Sequence, residues 1–216
     1  MPDPDKILCL GLNYRDHASD AGLAAPQTPD LFAKFRNSLV GAFDDVIVPS
    51  FASSKVDYEC ELAVIIGRRA SRVAENDALR YVAGYSVFND VSARDLQMQT
   101  SQATAGKAID TFAPMGPGMA LATHVGDPQT LSLMTRVNGR VVQNGNSANM
   151  IFSVAQIIAY VTSFATLEPG DIIATGTPSG VGFNRKPPIF LRDGDIVETQ
   201  IEKIGTLRNR IALDTI

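Results

Sequence analysis

The sequence contains no tryptophan, and aromatic residues make up only 7% of its 216 positions. It therefore offers little of the flat stacking surface that holds single-stranded nucleic acid. There is no basic excess either: 19 lysines and arginines face 23 aspartates and glutamates, a formal charge of −4. That is the opposite of the footprint that binds a phosphate backbone. Cysteine is limited to Cys9 and Cys60, too few for a disulfide framework or a thiolate metal cage. No apolar run approaches the roughly 18–20 residues a membrane-spanning helix needs. The opening residues, Met-Pro-Asp-Pro-Asp-Lys, have neither the basic nor the apolar stretch of a secretory signal. These absences predict a soluble, cytoplasmic protein with no nucleic-acid and no membrane partner.

What is present points to a folded domain. Hydrophobic residues reach 45%, which excludes disorder, and the length suits a single domain over residues 1–216. Charged residues, at 19%, fall below the usual share of about 25%, as expected when a partner copy covers some surface. Short β-branched runs recur at 7–12, 45–49, 58–67, 81–90, 131–143, 171–176 and 195–211. Asn138-Gly139 inside the fifth run is a two-residue hairpin signal. One helix is well marked: Ser153 and Gln156 have capping-box spacing, and Val154, Ile157, Ile158 and Val161 follow at helical spacing. A second, shorter helix is expected after Ser92, with Asp95 three residues on. Clustered strands with a few flanking helices predict an α+β fold, and the mix of hairpins and lone strands fits a rolled or barrel-like sheet whose topology the pattern leaves open.

Chemistry concentrates in a few polar residues. Glu59 and Glu61 are two apart in an apolar run, so in a strand both point to one face about 7 Å apart. They are either a solvated strand edge or half of a cation site. Asp90 ends another strand-like run and supplies a third carboxylate. Three acids with no thiolate form an all-oxygen donor set that suits Mg²⁺ or Mn²⁺ rather than Zn²⁺. Spacing does not bring Asp90 to the pair, and Asp44, Asp45, Asp57 and Asp95 are rival acids. His17 and Asp20, at i and i+3 of a polar helical turn, have the spacing of a general base and its orienting acid. His124 sits in a turn context and reads as structural or exposed. The TGTPSGVG segment lacks the lysine and the helix of a phosphate loop; it is either a tight inter-strand loop or a grip for a small carboxylate through its backbone and Thr177. Lys107 reads equally as an ion-pair partner or a site residue. Arg36 reads as a surface arginine.

GLNYRDHASD, DYECELAVIIG, FNDVSARDLQ, GKAIDTFAPMGP and LEPGDIIATGTPSGVG, in this order, resemble the fumarylacetoacetate hydrolase family from about Lys6 to Ile211. The resemblance implies a mixed sheet rolled into an unusual barrel and a homodimer. It implies that Glu59, Glu61 and Asp90 are metal carboxylates for Mg²⁺ or Mn²⁺, and that His17 is a catalytic histidine on a lid. Its usual partner in the family is a glutamate three residues on, where this chain has Asp20. Lys107 and Gln97 match positions that hold substrate and a developing oxyanion, and Thr177 matches a substrate-contacting hydroxyl. Many members carry an additional N-terminal segment, so this chain is expected to be a short or trimmed one. The expected reaction is metal-dependent hydrolytic cleavage of a C–C bond in a 3-acylpyruvate such as fumarylpyruvate or acetylpyruvate, giving pyruvate and a carboxylic acid. The alternatives are oxaloacetate decarboxylation or isomerisation of 2-hydroxyhepta-2,4-diene-1,7-dioate at the same site and, more remotely, a non-catalytic metal-stabilised dimer.

Overall fold

The computed structural model describes residues 3–50 and 53–214. Twelve strands form two mixed sheets that curl toward each other as a half-barrel. The seven-stranded sheet runs in the order Asp30–Lys34, Ile7–Gly11, Ile172–Ala174, Cys60–Ile66, Val82–Asn89, Ala113–Leu121, Leu39–Val40. The five-stranded sheet runs Arg140–Asn146, Ser132–Val137, Ile196–Ile201, Gly205–Asp214, Val46–Pro49. Leu62, Val64 and Val87 of the first meet Leu133, Ile201 and Leu207 of the second in one apolar cluster. Helix Val154–Thr162 adds Val154, Ile157, Ile158 and Val161 to it, with both halves of the Ser153–Gln156 capping box in place. Cys60–Ile66 is buried at every position, as fits a central strand covered on both faces.

Turn chemistry sets the strand ends. Asn138 and Gly139 both take positive φ, 51° and 79°, the geometry of the hairpin turn their sequence predicts. The run over 195–211 splits into two strands, with Lys203 at φ 62° between them. The helix expected after Ser92 is shorter than a capping box would give. Ser92 lies in the two-residue strand Ser92–Ala93, its hydroxyl donates to the Asp90 carbonyl, and the helix covers only Arg94–Gln97. Asp95 turns outward to accept from the Ser53 hydroxyl and the Ser54 N–H.

One buried amide ties together the segments that matter below. The side chain of Asn13 donates to the carbonyls of Thr175 (2.8 Å) and Phe152 (3.1 Å) and accepts from the Phe152 N–H (2.9 Å). It thereby joins the end of the Ile7–Gly11 strand to the TGTPSG loop. Gly176, at φ 90°, lies so close that a Cβ there would come within 2.8 Å of the Asn13 Cβ, so only glycine fits the turn. Asn13→Ala, which strands buried polar groups, is expected to lower unfolding free energy by about 2–3 kcal/mol. Ser153→Ala is expected to cost about 1 kcal/mol. Urea unfolding with unchanged m-values checks both.

Candidate metal and substrate site

Strand register explains how the three carboxylates meet. Cys60–Ile66 and Val82–Asn89 pair antiparallel with Cys60 opposite Asn89 and Glu61 opposite Phe88. Continuing that ladder outward puts Glu59 opposite Asp90, and the Asp90 N–H does donate to the Glu59 carbonyl at 2.9 Å. The Asn89 side chain accepts from the Glu59 N–H at 3.0 Å. Glu59 therefore lies just outside the strand expected to contain it, yet its carboxylate converges with those of Glu61 and Asp90. One ligand oxygen from each lies within 4.8 Å of the others, and all three residues are buried.

Three buried negative charges this close need cations. Lys107 Nζ donates to Glu59 Oε2 and Asp90 Oδ2, both at 2.7 Å, and sits 5.1 Å from the centre of the Phe32 ring. Lys34 Nζ, fully buried, donates to Asp90 Oδ1 at 2.6 Å and to the Val91 carbonyl at 3.0 Å. Arg94 Nη2 reaches Glu59 Oε1 at 2.7 Å and Asp57 Oδ2 at 2.8 Å. Asp57, a rival acid in sequence, serves as an anchor instead: its carboxylate also accepts from the backbone N–H groups of Tyr58, Gly182 and Phe183. Asp44 caps the Gly41 N–H and Asp45 pairs with Arg210, both away from the triad.

The charge states follow from this layout. Burial tends to raise the Glu59 carboxyl, but Lys107 and Arg94 outweigh it and hold Glu59 well below the usual range. Burial pulls Lys107 down, yet Asp90 and Glu59 push its ammonium up to about 12. Glu61 has no such cation at hand; burial, then the charges of Asp90 and Glu59, drive its carboxyl well above its ordinary value. A buried carboxylate resisted by two others marks the place for one more positive charge. The hard oxygen donors fit a divalent ion such as Mg²⁺ or Mn²⁺.

Glu59, Glu61 and Lys107 line a cavity of about 300 Å³ together with His17, Gln97 and Thr177, and Asp90 lies behind them, in contact with Lys107. That volume is at the lower end for small-molecule sites. Burial lowers the His17 pKa despite the opposing pull of Glu59, so its imidazole is neutral at pH 7. The expected His17–Asp20 contact does not form. Asp20 Oδ2 accepts from the Gly180 N–H at 3.4 Å, while Nδ1 of His17 is buried with no hydrogen-bond partner among the described residues. Asp16 also ties this helix to the loop, accepting from the Ser179 hydroxyl at 3.2 Å. Thr177 Oγ1 accepts from Gln143 Nε2, and the Gly176 N–H donates to Glu61 Oε2 at 2.8 Å. The Gln97 carbonyl accepts from Arg94 Nη1 at 3.0 Å, leaving its amide NH₂ for a ligand. His124 is exposed, and Arg36 is a surface residue paired with Asp3.

Sequence reasoning passed over Lys34 and Arg94 and placed Asp57 only among the rival acids. The first two left a signal. Asp30, Phe32 and Lys34 alternate along one strand face, and Arg94 stands three residues before Gln97 on a helical turn. Asp57 could be singled out only by its contacts.

Residues 6–212 match the family model described as fumarylacetoacetate (FAA) hydrolase C-terminal. The chain is 46% identical over 210 residues to the human protein named oxaloacetate tautomerase FAHD2A, mitochondrial, an alignment spanning 96% of this chain and 67% of that one. Among solved structures it is 37% identical to 2-hydroxyhepta-2,4-diene-1,7-dioate isomerase from Mycobacterium marinum, with a TM-score of 0.87 over 100% of this chain and 77% of that one. It is 31% identical to fumarylpyruvate hydrolase from Pseudomonas aeruginosa, solved with Mn²⁺ and pyruvate, with a TM-score of 0.89 over 99% of this chain and 91% of that one. The buried carboxylate triad, the sheet that aligns it and the match along nearly the whole chain place this protein in the fumarylacetoacetate hydrolase family.

Proposed function

We propose that the protein is a divalent-metal-dependent enzyme that moves a proton at the carbon beside the keto group of a 2-oxo acid, interconverting its enol and keto forms. Oxaloacetate is the first substrate to try, as the name of the human relative suggests. The observation that carries this reading is the placement of His17: it lines the cavity, its Nδ1 has no hydrogen-bond partner among the described residues, and Asp20 turns to the Gly180 N–H instead. A base that must strip a proton from water gains from an orienting carboxylate, whereas a proton shuttle to carbon needs only a neutral imidazole within reach. Glu59, Glu61 and Asp90 would hold a divalent ion, which would supply Lewis-acid stabilisation of the negative charge that gathers on the substrate's oxygens. Lys107 and the Gln97 amide donate to the substrate's oxygens, and Arg94 keeps Glu59 and Gln97 in place. His17 takes the proton from carbon 3 or returns it. No atom is gained or lost overall.

The second reading is hydrolysis of a 3-acylpyruvate, favoured by the donors Lys107 and Gln97, which suit an oxyanion, and by the fumarylpyruvate hydrolase likeness. In either reading the working unit is a homodimer using Mg²⁺ or Mn²⁺, in the cytoplasm or, like the human relative, in mitochondria.

Ultraviolet decay of oxaloacetate enol with Mn²⁺, and its return to the uncatalysed rate with excess chelator, tests the first reading. Release of equal acetate and pyruvate from acetylpyruvate, with no effect on oxaloacetate enol, would replace it by the second. His17→Asn is expected to slow turnover by about 10²–10⁴-fold. Because burial lowers the imidazole pKa from 6.5, wild-type activity should hold through pH 7 and fall only below that value as His17 gains a proton; the variant should lose that acidic limb. Asp20→Asn should leave the rate within a few-fold, and a loss as deep as that of His17→Asn would mean the two act as a dyad during turnover. Glu61→Gln removes a carboxyl that burial already disfavours as an anion. Without metal its melting temperature should match or exceed the wild type's, and the rise on adding Mn²⁺ should vanish.

A further inference from the structure

The strand Asp30–Lys34 runs from the rim of the cavity, at Asp30, past its wall, at Phe32, to Lys34 behind it. Its alternation puts Asp30, Phe32 and Lys34 on one face, and four residues at about 3.3 Å each separate the two ends by about 13 Å. Lys34 grips Asp90 at the buried end, Phe32 forms the wall beside Lys107, and Asp30 is exposed at the rim, lining the same cavity. The Asp30 carboxylate lies over Gly11, where a Cβ would come within 3.0 Å of Oδ2.

Three large apolar side chains share the rim, with the uncharged Asn184 beside them. Leu23, Met98 and Phe183 are large, exposed and drawn from three separate segments around the opening. The site's own polar groups fix one of them: the Phe183 N–H is held by Asp57 and its ring lies 5.9 Å from the Arg94 guanidinium. The cations lining the cavity among the described residues are Arg94 and Lys107, both engaged with carboxylates. Among the described residues, a tail that reaches this end meets hydrocarbon, the uncharged Asn184 amide and one negative charge.

We propose that this site selects 2-oxo acids whose outer tail is uncharged and apolar, and that Asp30 turns away those bearing a distal carboxylate. The inference rests on the 2-oxo acid reading above and adds the chemistry of the far end. Leu23, Met98 and Phe183 cover the tail, and Asp30 repels an anion placed beside it. A short diacid ends among the inner donors and escapes this filter; a longer one does not.

Calorimetric binding to the Mn²⁺-loaded protein tests it without turnover, using oxalate, 2-oxohexanoate and 2-oxoadipate. The last two share head and chain length and differ only in a terminal methyl or carboxylate. The expected result is tighter binding of 2-oxohexanoate by on the order of tenfold. The gap should shrink in Asp30→Asn and reverse in Asp30→Lys, with oxalate affinity the same in all three proteins. Asp30 is exposed, so both variants should keep the wild-type melting temperature. Equal or tighter wild-type binding of 2-oxoadipate, or an unchanged gap in Asp30→Asn, overturns the tail inference alone. Failure of oxalate to bind wild type overturns the head-group reading and this inference with it.

Discussion

Crowded negative charge is the constraint around which this molecule is arranged. Three carboxylates whose oxygens lie within 4.8 Å of one another in a buried place are mutually repulsive and poorly solvated. The fold answers with Lys107 between Glu59 and Asp90, Lys34 on the far oxygen of Asp90, and Arg94 on Glu59. Each is buried and would be costly alone; together they leave one imbalance, at Glu61. A structural ion-pair cluster would close that imbalance with a fourth side chain. Here the space beside it opens into the cavity, which is how a site differs from a scaffold.

The backbone serves the same end. The 60-to-89 register lines up Glu59 with Asp90, and that pairing is fixed by seven buried residues of a central strand. A slip of one residue would turn every side chain to the opposite face and separate the acids. Asn13 and Gly176 bring the TGTPSG loop under the same group, so that the Gly176 N–H reaches Glu61. Asp57 then extends the network outward, holding Arg94 on one side and residues 182–183 on the other. Floor, wall and rim of the cavity are thereby connected through a few charged residues.

Much of this was legible in the sequence, because local rules agree with the fold. The hairpin at Asn138-Gly139 and the cap at Ser153 are short-range signals, and tertiary structure did not override them. The acids Glu59, Glu61 and Asp90 and the cavity residues His17, Lys107, Gln97 and Thr177 were found from motif resemblance, which carries three-dimensional information that spacing lacks. What could not be read was partnership. Asp20 was paired with His17 because i, i+3 residues share a helix face, yet the nearby Gly180 N–H competes for the same carboxylate. Asp57 and Lys34 act through contacts more than fifty residues away in sequence for Lys34 and through a loop near residue 182 for Asp57. Local pattern holds no trace of the role of Asp57, and for Lys34 shows only a strand face shared with Asp30 and Phe32.

The central claim is that Glu59, Glu61 and Asp90 form one divalent-cation site, which the cavity reaches at Glu59 and Glu61. Anomalous diffraction from crystals soaked in Mn²⁺ tests it most directly. The account predicts a strong peak bounded by these three carboxylates, lost in Glu61→Gln crystals. A peak elsewhere in the molecule, or none at the triad at saturating Mn²⁺, would contradict it.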